Sequence, residues 1–234
     1  MGETNPNNAY LPPQVNRRWP VVTYTIVGIT TICYLLQWFL GGVEDATIMT
    51  LLGAKWNPLI YAGEYWRLLT PVLLHGGFLH IVLNMVSLYN IGPTVEALYG
   101  RARLLVIYLM AGVSGTALSY AFSPYLSVGA SGAIFGLIGA LLAFGRHYPR
   151  EFKRLFGSRL WTILLINLVY GFVNRGIDNF GHIGGMVGGY LAAELVAPYR
   201  DTRMSAFRVI GIAGYVLFIA FCMAMGPALF VTSV

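Results

Sequence analysis

Seven apolar segments bound what this chain can fold into. They are residues 21–40, 79–98, 104–122, 128–145, 160–173, 177–197 and 207–230, and most approach the ~20 residues needed to cross ~30 Å of hydrocarbon at about 1.5 Å per residue. In hydrocarbon no water satisfies backbone N–H and C=O groups, so apolar segments of this length close their hydrogen bonds internally as helices. The expected fold class is therefore an all-α polytopic membrane protein. Composition agrees, with 57% of the 234 residues hydrophobic and only 10% charged, against roughly a quarter charged in soluble domains. The first run also exceeds the ~7–15 residues of a signal-peptide core, so it reads as a retained span.

The formal net charge of +6 raises nucleic acid as a partner until the positions of the charges are considered. With the N-terminal tail inside, alternating spans put Arg17, Arg18, Arg101, Arg103, Arg146, Arg150, Lys153, Arg154, Arg159, Arg200, Arg203 and Arg208 on the inner side. Only Lys55, Arg67 and Arg175 fall outside. That asymmetry is the positive-inside bias of membrane topology, and no nucleic-acid partner is expected. Residues 1–20, rich in Asn and Pro, read as a disordered cytoplasmic tail. Residues 21–198 form a six-span core with a long outer loop at 41–78, and 199–234 an inner loop with a seventh span. Trp56, Tyr61, Tyr65 and Trp66 favour the headgroup level, so the loop is expected to lie partly in the interface, with Arg67 as an anchor and His75 as a brace. Cys33 and Cys222 lie within apolar runs and read as packing residues. No zinc-type cysteine spacing, phosphate loop or dinucleotide fingerprint is present, and no cofactor is expected.

Chemistry concentrates in the fourth span, VGASGAIFGLIGALLAFG, where one hydroxyl, Ser131, sits among Gly129, Ala130 and Gly132. On a helix Gly132, Gly136 and Ala140 fall one turn apart and let a neighbouring backbone approach closely. The sixth span, GHIGGMVGGY, supplies the matching surface, with Gly185 and Gly189 on the face of His182. Spans two, four and six all enter from the outer side, so His80, Ser131 and His182 share a shallow depth, with Asn84 one turn below His80. Polar side chains in a bilayer cost free energy unless paired, and four at one depth on three helices mark a site. A serine becomes a nucleophile when a base takes its proton, and His182 is the histidine able to meet span four. The Ser131 amide, His80 and Asn84 are candidate donors to the oxyanion of an acyl-transfer intermediate. Taken singly, Ser131 reads as a small packing residue and each histidine as an interhelical hydrogen-bonding group. Phe135 can floor the site against His182 or simply pack the core. Asp178 can orient the imidazole, though its place at a helix start favours an N-cap. Glu96 reads as a structural carboxylate, and His147 as facing the cytoplasm.

Four motifs together carry a family resemblance: WR at Trp66 and Arg67, HGGFLHIVLN from His75 to Asn84, GASG at Gly129 to Gly132, and GHIGGMVGG from Gly181. The chain resembles a rhomboid intramembrane serine protease. The resemblance implies a six-helix bundle plus one extra C-terminal transmembrane helix, with no large soluble domain appended. It implies Ser131 as nucleophile and His182 as base in a dyad, with His80, Asn84 and the Ser131 amide as oxyanion hole and Asp178 outside the catalytic set. Phe135 stands where some members carry Tyr, keeping the ring without the hydroxyl. Expected substrates are single-pass transmembrane proteins in the lipid bilayer, cut near the outer end of their helix, at the shallow depth of the constellation, after local unwinding that Gly or Pro would ease. Span five, short and poor in small residues, is the expected side entrance. The expected location is a bacterial plasma membrane, N-terminus cytoplasmic and C-terminus outside. Three other readings compete. A non-catalytic relative that binds transmembrane clients should lack the serine or the histidine, and this chain has both. A metal site on His75, His80 and His182 lacks a carboxylate or thiolate at ligand depth, and a proton-coupled transporter lacks a mid-membrane ionisable residue.

Overall fold

The computed structural model describes residues 19–43, 45–157, 176–196 and 204–231. Within them the chain forms α1 (Val21–Phe39), the short α2 (Ala46–Leu51) and α3 (Asn57–Tyr61), and 3-10 turns at Tyr65–Leu68 and Thr70–Leu73. There follow α4 (Phe78–Tyr99), α5 (Arg101–Phe122), α6 (Ser131–His147), α7 (Pro149–Leu155), α8 (Asn179–Val196) and α9 (Met204–Val231). Four stretches among the described residues are long and apolar enough to cross a membrane: Val21–Phe39, Phe78–Tyr99, Arg101–Phe122 and Arg208–Pro227. This is an integral membrane protein of the all-α class. The predicted fifth span, 160–173, lies outside the described residues, as does most of the predicted tail.

The helices at the predicted fourth and sixth spans are shorter than these four among the described residues, α6 having 17 residues and α8 having 18. Gly129, with φ of 129°, takes a backbone conformation closed to side-chain-bearing residues, so the helix starts at Ser131 rather than at Val128. The segment before it is irregular backbone, which a bilayer tolerates only where protein surrounds it.

α5, α6 and α8 form the centre, and glycine is what lets them close. A Cβ added at Gly185 would overlap the Gly132 carbonyl, and one at Gly189 would overlap the backbone of Gly136. Around this centre α1 and α4 present Ile29, Ile32, Leu36, Leu79, Leu83 and Val86 outward, as lipid-facing helices do. Pro20 gives α1 no side-chain cap. Instead the Glu96 carboxylate, on α4, accepts from Val22 N (3.1 Å), Thr23 N (2.8 Å) and Thr23 Oγ1 (2.8 Å), capping the first turn and satisfying a buried charge at once. The structural reading of Glu96 agrees with this geometry. α9 lies against α5 and α8. Tyr215 donates its hydroxyl to Met110 O (3.0 Å), Gly226 lies against the Tyr120 ring, and Cys222 packs among Ala117, Leu118 and Ala121.

Three ionisable side chains differ from their sequence-based expectations. Arg67 is buried rather than anchored at the interface. Its guanidinium donates to Thr50 O, to Ala54 O (3.1 Å) and to the Glu64 carboxylate (2.7 Å), tying the outer loop to itself. Lys55, predicted in an outer loop lying partly in the interface, is fully buried. His147 does not simply face the cytoplasm: its Nε2 lies 2.8 Å from a buried Glu194 oxygen on α8. Lys55 and His147 find their partners far along the chain, whereas Arg67 also uses Glu64 three residues before it, and burial is tolerable because each polar group is hydrogen-bonded.

Candidate active site

Ser131 is the first residue of α6, so its backbone N–H has no partner within that helix. His182 lies in the first turn of α8. Close approach of the glycine faces brings His182 Nε2 to 2.9 Å from Ser131 Oγ. Phe135, one turn into α6, stacks on the imidazole with ring centroids 4.3 Å apart and planes 10° from parallel. The ring is thus held on one face by an aromatic and at its edge by the hydroxyl. Its Nδ1 is buried with no hydrogen-bond partner among the described residues. Asp178 is engaged elsewhere: one oxygen accepts from Gly181 N (2.9 Å), the bond an N-cap makes, and the other from Ser119 Oγ on α5 (2.5 Å).

α4 supplies the other polar pair. The His80 ring sits against Gly129, where an added Cβ would lie 2.8 Å from both Cε1 and Nε2 and 3.8 Å from Ser131 Oγ. Only a glycine fits between the imidazole and the serine. Asn84 is buried one turn on and donates one amide hydrogen to His80 O (2.9 Å), leaving its second donor. His75, fully buried, holds the site from behind. Its ring packs edge-on against His80 with centroids 5.1 Å apart, and its Nε2 faces the N–H of Ala130 at 3.5 Å. The Gln37 side chain clasps the His75 backbone, donating to its carbonyl (2.8 Å) and accepting from its N–H (3.1 Å). Sequence reading marked His75 as a brace but missed Gln37, whose partner is 38 residues away. Pro71, Val72, Thr116, Ser127, Ser131 and Asp178 help line a cavity of ≈ 20 Å³ beside the serine, room for about one water. Among the described residues, no three His, Cys, Asp or Glu side chains gather as metal ligands would.

Residues 62–199 match the Rhomboid domain. The chain belongs to the rhomboid family. It is 45% identical over 174 residues to Rhomboid protease GluP of Bacillus subtilis (strain 168), covering 74% of this chain and 34% of that protein. It is 32% identical over 189 residues to Putative rhomboid protease YdcA of the same organism, covering 80% and 94%. RHOMBOID-like protein 5 of Arabidopsis thaliana is 40% identical over 144 residues, 59% of this chain and 46% of that relative. The chain thus spans about a third of GluP, under half of the Arabidopsis protein and nearly all of YdcA. Ser131, His182, His80, Asn84 and His75 of this rhomboid all lie inside the matched domain.

His75 stands in the connection before α4, and burial, with the nearby His80, pushes its pKa from 6.5 down to about 3. The folded rhomboid therefore keeps this ring neutral where the unfolded chain has already taken up a proton. Its contribution to stability is whole above pH 6.5 and is lost progressively as pH falls towards 3. Thermal unfolding in detergent is expected to show a midpoint that drops on acidification through this window, and His75→Gln should flatten the drop. An identical pH slope in the variant would show that His75 is not the group responsible.

Proposed function

We propose that this rhomboid is an intramembrane serine endopeptidase that cuts single-pass transmembrane proteins near the outer end of their helix. The observation that carries the reading is the 2.9 Å approach of His182 Nε2 to Ser131 Oγ, on two helices too closely packed to drift apart. In this reading Ser131 Oγ attacks the scissile carbonyl carbon while its proton passes to His182 Nε2. The carbonyl oxygen becomes an oxyanion, received by the unpaired Ser131 N–H with His80 and Asn84, each such donor being worth ~3–4 kcal/mol in a dry site. His182 returns the proton to the departing amine nitrogen, leaving an acyl-serine. A water then gives its proton to His182 as it attacks the ester, and the acid product leaves as Ser131 regains its hydrogen. Phe135 keeps the imidazole plane fixed through both transfers. Asp178, occupied by Gly181 and Ser119, holds the start of α8 instead of the ring.

The names of the relatives GluP and YdcA support protease activity, and their source supports a bacterial plasma membrane as the location. The basic loops on one side support a cytoplasmic N-terminus and an external C-terminus. A fluorophosphonate probe tests the assignment directly. Wild-type protein should label covalently and Ser131→Ala should not. Labelling that survives in Ser131→Ala removes this serine from the reaction. A wild type that binds transmembrane clients without labelling identifies a non-catalytic relative.

A further inference from the structure

The loop between α5 and α6 delivers Ser131, and it is held by an unexpected group. Lys55, outside the spans in the connection between α2 and α3, is fully buried, and its Nζ donates to Ser123 O (2.6 Å) and Tyr125 O (2.9 Å). Its backbone pairs antiparallel with Ser127, Lys55 N to Ser127 O at 3.0 Å and Ser127 N to Lys55 O at 3.1 Å. Asn57 adds bonds to Tyr120 O (3.2 Å) and Ser123 O (3.1 Å). Downstream, Gly129 N donates to Pro71 O (2.9 Å) and Ala130 N faces His75. One lysine thus fixes residues 123, 125 and 127, and the nucleophile follows four residues later.

The geometry points to Lys55 as a positioning residue for Ser131, its ammonium setting the register of the 123–130 segment so that the hydroxyl and amide of the serine sit where the imidazole and the oxyanion require them. An ammonium is costly to bury, and a short loop lysine that only needed an anchor would leave its head in water. Here the head is drawn inward onto two carbonyls of one segment, and burial pushes its pKa down to about 8 against the pull of the Asp178 carboxylate. It remains mostly protonated at neutral pH, with more donors than an uncharged side chain of its length can offer. Asp178, whose charge acts on this ammonium through space, also caps the helix carrying His182.

The inference rests on Ser131 being the nucleophile, and the two can fail separately. Full-chain wild type, Lys55→Met, Lys55→Arg and Ser131→Ala are compared in liposomes containing a single-span substrate, and in parallel for the rate of fluorophosphonate labelling. Lys55→Met is expected to lower kcat and the labelling rate together by about 10- to 100-fold, the scale of a misplacement of ~1 Å. KM should stay near the wild-type value, and Lys55→Arg should recover part of the rate. Should Lys55→Met not fold, Lys55→Gln, whose amide can reach one carbonyl, reads the same kcat-against-KM split. A wild type that is not labelled ends the nucleophile reading itself. A wild type that labels alongside a Lys55→Met of equal kcat overturns the lysine's role alone. So does a change confined to KM, or the failure of both Met and Gln variants to fold.

Discussion

Gly185→Ala is expected to cost at least about 100-fold in turnover while removing no polar group of the site, because a shift of ~1 Å between reacting groups has that effect. The added methyl would occupy the space of the Gly132 carbonyl, so α8 must move off α6, and His182 moves with it. Overpacking of this kind also costs ~1–3 kcal/mol of stability. Gly189→Ala, against Gly136, should behave alike. Gly28→Ala is the control, since an added Cβ there has nothing within 4 Å and the helix gains propensity. Turnover of a single-span substrate and unfolding midpoints in detergent check both. Wild-type turnover in Gly185→Ala would show that the approach of the two helices does not govern the chemistry.

His182→Ala is expected to reduce kcat by about 10⁴- to 10⁶-fold, the range for removing the base of a serine hydrolase. The loss arises in the chemical step, so substrate binding should persist, and a crosslinkable substrate should still be captured. The contact made by the ring is to Ser131 Oγ on one side and Phe135 on the other, with Nδ1 unpartnered among the described residues. No other histidine stands at this distance to the hydroxyl among the described residues: His75 and His80 pack against each other on the far side of Gly129. Activity within tenfold of wild type in His182→Ala would reassign the base.

Much of this arrangement is legible from the chain because it depends on spacing. Glycines one turn apart in two apolar segments announce a close helix pair, and the alternation of basic loops sets which ends lie together. Ser131, His182, His80, Asn84 and Phe135 follow from that and from the four motifs. Charged residues in the outer loop do not obey such a rule. Lys55 and Arg67 look like ordinary solvated cations, because the partners of Lys55, and all but Glu64 of those of Arg67, are backbone carbonyls, and every residue has one. The bonds that bury Lys55 span 68 and 70 residues. The same holds for His147, whose buried partner Glu194 lies 47 residues on. The apolar segment 128–145 begins three residues before α6 does, since a positive φ at Gly129 leaves no trace in hydrophobic pattern.

α9 gives the bundle a closed back. With Tyr215 fastened to Met110, Gly226 tucked beneath Tyr120 and Gly211 against Leu191, the flank shared by α5 and α8 is walled off from the surrounding lipid. Under the proposed function, a substrate helix is thereby denied that doorway and takes its route along the remaining perimeter.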